Sequence, residues 1–565
     1  MRSRISVSQS KLVLSALAVL ILSLPFERIL FHAGPFSVSS IELCAFLFLA
    51  SVWIANCFDR QILRERVWAS AVCFILALFL SAFLQKTYRV NALKFSLRML
   101  AGIFLAWSIA SLVRRDGRWR ENLLALFAVT GGLAALLGLL EWRLSPDATA
   151  WSWLFRGPPH WIGGLKRLTG TFEYPNTAAS FFLFSLAASI SLGLSGKKFF
   201  RIVSFILVLA LVLTCSRGAL IAGATSLLLV AFSRRDTEKR REMIAWACLL
   251  GAMYGLALWF MPRLTHRLTS ENDTRWLGAR YEVLSFPPSL APDRIYRIPM
   301  RLQNEGTAAW DDSLPFRLSY HWYDAGTLQV VVRDGLRTRF QSTIPPGGSV
   351  TVNALVKTPA RSGDFILAFD MVQERFAWFS ERGVAPDLIR CKIGPATESP
   401  PVRDLGETLS GVMDRSFTVT TRFDLWQAAW RLFLQHKWIG VGPDNYRFHY
   451  ERALGRPTRF TAMYANNLFL EILADTGLLG FGALAVFLYL LLRRLRDSEL
   501  SAQIALYAFF VHGMVDYFLE FSAIYIPFWI YIGMMAGRDV HPSIPPSLHS
   551  SIPVSVVKIP GDNFR

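Results

Sequence analysis

Cysteine is scarce in this chain, which has six among 565 residues. Five of them lie in or next to apolar stretches, and Cys391 is the only one in the polar stretch 262–465. A single cysteine cannot build a disulfide framework there. Cysteine and histidine also show no spacing typical of a zinc site. We therefore expect no disulfide framework in the polar stretch, no metal site and no cofactor.

Charged residues are scarce as well: they form 18% of the chain, whereas hydrophobic residues form 53%. Repeated apolar windows of about 18 residues or more are typical of membrane-spanning helices. We therefore predict an all-α polytopic membrane protein of about twelve transmembrane helices with an inserted all-β domain. The predicted spans are 12–31, 37–57, 67–84, 91–113, 122–140, 177–194, 200–214, 217–232, 243–261, 468–492, 501–518 and 520–537.

The start of the chain does not indicate a cleavable signal peptide. Its first apolar stretch has no small-residue cleavage site, and Pro25-Phe26-Glu27 follows within it. We expect this stretch to remain in the membrane as a signal anchor.

Acidic residues are fewer than basic ones, 41 against 60, which gives a net charge of +19. The basic residues concentrate in every second connection between predicted spans, as in Arg114, Arg115, Arg118 and Arg120. Because cytoplasmic loops are rich in Lys and Arg, we predict that both termini are cytoplasmic and that 262–465 lies outside. Topology and contact with the lipid bilayer then explain the positive charge, and no nucleic-acid partner is indicated.

The polar stretch contains a predicted β domain at 281–395. Runs of β-branched and aromatic residues, such as Phe316-Arg-Leu-Ser-Tyr-His-Trp-Tyr, alternate with turns such as Pro345-Pro-Gly-Gly. About seven short strands at this spacing predict a β-sandwich. The segment Asn304-Glu-Gly-Thr-Ala-Ala-Trp310 and those that follow resemble immunoglobulin-like modules of bacterial surface proteins.

Three tryptophans of this domain have two interpretations. They can form a sugar-stacking platform or pack in the core and at the edge of a small sandwich, and we favour core and edge packing. These residues are Trp310, Trp322 and Trp378.

The remaining segments are assigned from their composition. We predict nine transmembrane helices in 1–261 and three in 468–537. Between them we predict a connector at 262–280, a linker at 396–420 and an outside loop at 421–467; a disordered cytoplasmic tail follows at 538–565.

An amphipathic helix is predicted at 421–436, within the outside loop. Its apolar residues share one face, and we expect the helix to lie on the outer membrane surface. These residues are Leu425, Ala428, Ala429, Leu432 and Phe433.

Four outward-facing motifs contain the candidate functional residues. Their sequences are Arg167-Leu-Thr-Gly-Thr-Phe-Glu-Tyr-Pro-Asn176, Ser216-Arg217-Gly218, Arg422-x-x-x-Trp426 followed by Ile439-Gly-Val-Gly442, and Tyr464-Ala-Asn466-Asn467 followed by Leu468-Phe-Leu-Glu471. Arginine at a membrane edge is costly unless it faces water, a partner or a ligand. Its charged fork suits phosphate oxygens. Each arginine alone is consistent with headgroup anchoring, but together they favour a diphosphate site.

These four motifs, in this order and with this topology, resemble the O-antigen ligase and O-antigen polymerase superfamily. The resemblance covers 12–261 and 421–537 but not the β insert. It implies an inner-membrane glycosyltransferase that is inverting and metal-independent and uses a glycan linked to polyprenyl (undecaprenyl) diphosphate. The acceptor would be a glycan or lipid A-core on the periplasmic face.

The resemblance also implies roles for individual residues. Arg217 and Arg422 would hold the diphosphate, and Arg167 and Asn176 would shape the donor site. The residues expected at the chemistry or near the acceptor are Asn466, Asp516, Asn467, Glu471 and His512.

One departure from the family pattern affects the mechanism. The family usually has a histidine before Asn467, as a base or orienting group, and this chain has Asn466. Asparagine can hydrogen-bond an acceptor but cannot take a proton at neutral pH. Alternative bases are His449, Glu471 and Asp475, and we favour a positional role for Asn466 without an identified base.

His512 and Asp516 are spaced i,i+4 near the outer rim. An ionisable pair inside a membrane is a functional hypothesis by default. The alternative is a structural salt link from this pair to Arg98 or Lys94.

Two other functions remain as alternatives. A transporter or flippase for lipid-linked sugars would show internal repeats or matched broken helices, which we do not find in the sequence. A catalytically inactive glycan-binding assembly protein is favoured only by Asn466.

Overall fold

The computed structural model describes residues 7–33, 36–144, 160–162, 165–261, 264, 276–310, 316–374, 377–394, 420–455 and 462–537. Within these residues the chain forms fourteen α-helices. They are α1 Val7–Ser23, α2 Ser40–Ile54, α3 Arg66–Leu84, α4 Arg89–Arg115, α5 Arg118–Arg143, α6 Pro175–Leu194, α7 Phe199–Leu213, α8 Arg217–Ser233, α9 Thr237–Phe260, α10 Arg422–Gln435, α11 Tyr446–Leu454, α12 Leu468–Arg496, α13 Leu500–Gly513 and α14 Ser522–Ala536.

Seven segments of the described chain are long and apolar enough to cross a membrane. They are Ser8–Phe26, Arg66–Leu84, Arg89–Arg115, Arg118–Arg143, Pro175–Leu194, Thr237–Phe260 and Leu468–Arg496. The other five predicted spans correspond to shorter apolar helices: α2, α7, α8, α13 and α14. The architecture is that of a polytopic membrane protein, whereas a count of twelve spans stays a prediction.

The helices pack closely where glycine faces a neighbouring helix. At Gly533 of α14, a Cβ atom would lie 2.5 Å from the carbonyl oxygen of Ala106 in α4. At Gly102 of α4, a Cβ atom would overlap the indole of Trp529. Small residues permit such close approach between membrane helices. α6 and α14 are almost entirely buried, so they occupy the centre of the helical region.

The connections that are rich in basic residues meet at one end of the bundle. Arg120 at the start of α5 pairs with Glu499 before α13 at 2.5 Å. Arg494 at the end of α12 pairs with Glu65 before α3. The grouping of these loops agrees with the charge pattern of the sequence, and their cytoplasmic location stays a prediction.

The insert forms two antiparallel sheets. One has the order β11-β10-β7-β8 with β12 also paired to β10, and the other has the order β5-β6-β9. The strands are β5 Ala279–Val283, β6 Ile295–Asn304, β7 Phe316–Asp324, β8 Val330–Val332, β9 Ser349–Lys357, β10 Gly363–Gln373, β11 Ala377–Trp378 and β12 Asp387–Ile393. Two short hairpins lie elsewhere: β1 Ile29–Ala33 with β2 Phe36–Ser39, and β3 His160–Ile162 with β4 Leu165–Arg167.

Both sheets contribute side chains to one apolar core. Trp310 and Trp322 are fully buried in it. Trp378 is 5% exposed and packs outside this core, on edge strand β11, against His321 and Arg337. Because none of the three presents a ring face to solvent, the sugar-platform interpretation is wrong and the interpretation as core and edge packing is correct. The comparison with immunoglobulin-like modules stays a prediction.

The amphipathic helix is confirmed as α10, but its predicted environment is corrected. Thr421 and Asp424 form a capping box that begins the helix. The stripe that contains Leu425 and Leu432 is buried against α11 and α12 rather than against lipid. A different set of apolar side chains is exposed: Phe423, Trp430, Leu434 and Trp438. The predicted tail at 538–565, residues 396–419 of the linker and most of the connector lie outside the described residues.

Candidate functional site

A chain of polar contacts joins two of the four sequence motifs to Asp516 at the end of the bundle opposite the basic loops. Nη2 of Arg167 donates to Oδ1 of Asn176 at 2.8 Å. Nδ2 of Asn176 donates to Oδ2 of Asp516 at 2.6 Å. The same oxygen of Asp516 lies 3.8 Å from Nη2 of Arg422. The structure thus brings together four of the residues that the sequence singled out.

Local structure fixes each member of this chain. Arg167 ends β4, and its Nε donates to the carbonyl of Thr214 at 2.7 Å, in the turn between α7 and α8. Asn176 is the second residue of α6, which begins at Pro175, a favoured first helical residue. Arg422 is the first residue of α10.

Arg217 is placed beside the turn 514–521, which contains Asp516. It is the first residue of α8, and the next residue, Gly218, contacts that turn. A Cβ atom at Gly218 would lie 2.8 Å from Val515 and 2.9 Å from the ring of His512. The small residue therefore lets the α8 N-terminus approach the turn closely, with a partly exposed arginine at its head.

His512 is buried and takes part in a hydrogen bond. Its Nδ1 lies 2.8 Å from Oγ of Ser180 in α6, and the residue is 1% exposed. Asp516 does not pair with Arg98 or Lys94, as the structural alternative supposed; its ion-pair partner is Arg422. Burial raises the pKa of the Asp516 carboxyl, and Arg422 and the Tyr517 amide oppose this rise.

Asn466 and Asn467 differ in their surroundings. Asn467 caps α12, because its Oδ1 accepts from the amides of Phe469 and Leu470 at 3.0 Å. Its Nδ2 also donates to the carbonyl of Met514 at 2.8 Å, which ties α12 to the turn 514–521. Asn466 has a positive φ of 50° and is partly exposed.

Glu471 and Asp475, two of the alternative bases, are buried in α12. Oδ2 and Oδ1 of Asp475 accept from the amides of Asp444 and Tyr446 at 2.7 and 2.8 Å. Glu471 is fully buried and accepts from the amide of Ala465. Both carboxyl groups therefore order the loops beside α12.

Two glycines allow the loop after α10 to lie on α12. Gly440 has φ of 65°, and a Cβ atom there would overlap the backbone of Asp475. Gly477 has φ of 60° inside α12, and a Cβ atom there would lie 2.5 Å from the carbonyl carbon of Trp438. Both the space and the left-handed backbone require glycine. This contact explains why the Gly440-Val-Gly442 motif and Gly477 occur together.

A second polar cluster was not found from the sequence. Nη2 of Arg447 lies 2.7 Å from Oδ2 of Asp444, and Nδ2 of Asn91 donates to the same oxygen at 3.0 Å. Tyr464 and Glu520 lie beside this cluster. Burial raises the pKa of Asp444, and Arg447 opposes this. The only sequence signal was a pair of charged residues, Lys94 and Arg98, inside an apolar span.

This second cluster lines one end of a cavity of about 640 Å³ between α2, α4 and α14. Its charged lining consists of Glu42, Lys94, Arg98, Asp444, Arg447 and Glu520. Apolar side chains of α2, α4 and α14 form the rest, including Phe46, Leu49, Leu97, Ala101, Leu105 and Ile526. Its volume lies within the range of about 300–1,000 Å³ that is usual for ligand pockets.

His449, the remaining alternative base, lies on α11 against the ring of Tyr88. Burial and the neighbouring Arg452 lower its pKa. Within the described residues, no group of three or more His, Cys, Asp or Glu side chains is arranged to hold a metal ion.

Comparison with known proteins gives one informative match. Residues 365–485 match the model of a family described as O-Antigen ligase. The matched range begins in β10 of the insert and ends in α12, so it includes Arg422, Asn466 and the Gly440 loop. This supports the O-antigen ligase superfamily and a ligase-type membrane enzyme in general.

The other comparisons add no functional information. No curated protein matches the chain. Among solved structures, the alkylpurine DNA glycosylase AlkC of Pseudomonas fluorescens, bound to DNA containing an abasic site analog, is similar at 10% identity. That match covers 69% of this chain and 98% of the other, with a TM-score of 0.15. A score this low carries no argument.

Proposed function

We propose that this protein is a membrane glycosyltransferase. It moves a glycan from a polyprenyl diphosphate to a hydroxyl group of an acceptor, which is a glycan or lipid A-core. The observation that carries the proposal is the polar chain Arg167–Asn176–Asp516–Arg422, with Arg217 beside its turn. These groups come from four segments that are far apart in sequence, and the family match covers the segment containing Arg422.

The chemistry of a diphosphate leaving group accounts for this arrangement. When the glycosidic bond to phosphate breaks, negative charge grows on the diphosphate oxygens. Fixed cations at that position stabilise the transition state more than the ground state. In this proposal Arg217 and Arg422 bind the diphosphate, and Asp516 orients Arg422.

Arg167 and Asn176 have a supporting role. Arg167 is 7% exposed, and two of its donors are already used by Thr214 and Asn176. Its side chain therefore shapes the wall of the site and holds Asn176 toward Asp516. Asn467 and His512 likewise order the turn 514–521, and Glu471 orders the loop that precedes Asn466.

The wider setting of the proposal is a bacterial inner membrane. Both termini would lie in the cytoplasm, and the β insert, as an immunoglobulin-like module, would lie in the periplasm. Transfer would invert the anomeric centre. Arg217 and Arg422 would stabilise the negative charge that grows on the diphosphate, so the proposal requires no metal ion.

The test uses purified full-length protein in lipid nanodiscs with a polyprenyl-diphosphate glycan and separate acceptors. The rate of acceptor-dependent release of free polyprenyl diphosphate is measured. Arg217→Ala and Arg422→Ala should each lower it by about 100-fold or more, as is usual for removal of one stabilising donor. Arg240→Ala, on the exposed part of α9, is the matched control.

Three results would argue against the proposal. Release without any acceptor would indicate a hydrolase. Movement of intact donor between leaflets without release would indicate a transporter. Binding of the glycan without release, together with unchanged behaviour of both arginine variants, would indicate an assembly protein.

A further inference from the structure

Transfer to a hydroxyl group requires that the hydroxyl proton be removed. The attacking oxygen must lose its proton as it bonds to the anomeric carbon, and a positioned base commonly accelerates this step. Asn466 cannot serve, since an amide does not take a proton at neutral pH. The inference below concerns this base and rests on the proposed function.

The other acidic groups near the site already have hydrogen-bond or ion-pair partners. Asp516 is held by Asn176 and Arg422, and Asp475 is held by two backbone amides. Glu471 is fully buried. Asp444 is paired with Arg447 and Asn91. None of these four is placed to receive a proton from a substrate without losing a contact that orders the fold.

Glu520 differs from these groups in its position. It is partly exposed and lines the 640 Å³ cavity between α2, α4 and α14. It lies in the turn 514–521, outside the helices. It shares the cavity lining with Tyr464, two residues before Asn466. The structure shows no cation within ion-pair distance of its carboxyl group among the described residues.

Glu520 also lies next to the polar chain of the donor site. It follows Asp516 by four residues in the same turn. The ring of the next residue, Phe521, packs against the ring of Tyr174, with 5.8 Å between the ring centroids. Tyr174 directly precedes Pro175 and Asn176, and Asn176 belongs to the polar chain of the donor site. The cavity and the donor site therefore share the turn 514–521 as a common wall.

The charged lining of the cavity suits a sugar. Lys94, Arg98 and Arg447 are hydrogen-bond donors, and Glu42, Asp444 and Glu520 are acceptors. A sugar hydroxyl both donates and accepts hydrogen bonds, so it can bind groups of either kind.

We infer that this cavity holds the acceptor sugar and that Glu520 takes the proton from its attacking hydroxyl. The hydroxyl oxygen bonds to the anomeric carbon of the donor, and the bond from that carbon to the diphosphate oxygen breaks. The electron pair of that bond leaves with the diphosphate. The proton passes to the Glu520 carboxylate and then to solvent.

The charges around Glu520 suit this role. Burial raises its pKa to about 7, with Asp444 and Glu173 acting in the same direction. Arg447 and Tyr464 oppose the rise. Nη2 of Arg98 donates to the backbone carbonyl of Glu520, and Lys94 lines the same cavity. A base works best when its pKa lies near the working pH.

The experiment compares wild type, Glu520→Gln and Glu520→Asp in the nanodisc assay between pH 5.5 and 8.5. Wild-type transfer should rise with pH with a midpoint near 7, because the carboxylate is the active form. Glu520→Gln should lower the turnover number by about 100-fold or more and abolish the pH-dependent rise, with the KM for donor nearly unchanged. Glu520→Asp should keep the rise and recover part of the rate. Glu238→Gln, on exposed α9, should behave as wild type.

The outcomes separate this inference from the proposed function. If Glu520→Gln transfers at a rate within threefold of wild type, or keeps the pH-dependent rise, Glu520 is not the base although the enzyme is a transferase. If wild type transfers nothing to any acceptor, the proposed function and this inference fail together. If Glu520→Gln unfolds at a lower temperature than wild type, the pH profile of Glu520→Asp separates the two roles. A base predicts that its transfer rate rises with pH, whereas a merely structural role predicts no such rise with a midpoint near 7.

Discussion

Asn176 and Asp516 are joined by a 2.6 Å hydrogen bond although 340 positions separate them in the chain. The bond connects the beginning of α6 with the turn between α13 and α14. Its acceptor oxygen also faces Arg422, so one carboxylate positions groups from the N-terminal helices and from the segment 421–467. This relationship suggests which variants test the site most directly.

Replacement of Asn176 should weaken transfer without unfolding the protein. Asn176→Ala removes the hydrogen bond to Asp516 and the one from Arg167. A hydrogen bond to a charged group is worth about 1.5–3 kcal/mol, so we expect kcat/KM to fall by at least about 10- to 100-fold. Asn176→Asp should be worse, because it places a second carboxylate beside Asp516 and removes a donor. Transfer kinetics at pH 7 provide the measurement.

The control for the two Asn176 variants is Asn353→Asp, which makes the same chemical change at an exposed position on β9. It should leave kcat/KM unchanged. Equal activity of Asn176→Ala and wild type would mean that the bond to Asp516 does not position the site.

Diphosphate binding by Arg422 should depend on the shape of the guanidinium group as well as on its charge. Arg422→Lys keeps a cation but loses the planar fork that binds two oxygens. We therefore expect Arg422→Lys to bind a competing polyprenyl diphosphate more weakly than wild type but more tightly than Arg422→Ala. Competition binding in nanodiscs measures this order. Arg431→Lys, on the same helix, is the control, because Arg431 donates to the carbonyl of Ala453 away from the site. Identical affinity of the lysine and alanine variants would exclude a specific role for the guanidinium group.

The sequence predicted the apolar helices, six strands of the insert and four residues that meet at the candidate site. Membrane-length apolar runs predicted the helices, and alternating runs predicted strands β5 to β10. The motif comparison predicted that Arg167, Asn176, Asp516 and Arg422 would meet. These features have signals that are local or that recur in a family.

Features that depend on pairing between distant segments were not predicted. No local sequence pattern indicates that Gly440 and Gly477 lie in contacting segments. A side chain at either position is excluded by backbone atoms of the other segment, which the sequence does not show. The buried stripe of α10 was predicted to face the membrane. Periodicity shows that one face of a helix is apolar, but it does not show whether lipid or protein covers that face. The cavity between α2, α4 and α14 was missed for the same reason: Lys94, Arg98 and Glu520 lie on separate elements.

The contact between the Gly440 loop and α12 should be sensitive to a single methyl group. Gly440→Ala and Gly477→Ala each combine a left-handed backbone, which costs about 1–2 kcal/mol, with overlap against backbone atoms that cannot rotate away. We expect both to lower the unfolding temperature and to abolish transfer, because Asn445 and Arg447 follow the loop directly. Gly482→Ala in the same helix has open space around it and serves as the control. Wild-type stability in Gly477→Ala would show that the loop does not lie on α12 as described.

Arg447 should stabilise the protein in a pH-dependent way through Asp444. Burial raises the pKa of Asp444 and Arg447 is the main influence that lowers it, so Arg447→Met should raise that pKa further. A native pKa above the unfolded value of about 3.9 means that the native state binds the proton more tightly, and stability is lost as pH rises between the two values. The destabilisation by Arg447→Met should therefore be larger at pH 8 than at pH 5, and reach up to about 3–5 kcal/mol, the cost of leaving a buried charge unpaired.

Thermal unfolding of Arg447→Met at both pH values measures this effect, and the double variant with Asp444→Asn separates its cause. Because asparagine does not titrate, the double variant should lose the extra destabilisation at pH 8 while keeping any loss from packing. If the single and double variants respond to pH in the same way, Asp444 is not the group that Arg447 stabilises. The titration would then be assigned to Glu520, on which Arg447 also acts, and Glu520→Gln in the Arg447→Met background should remove it.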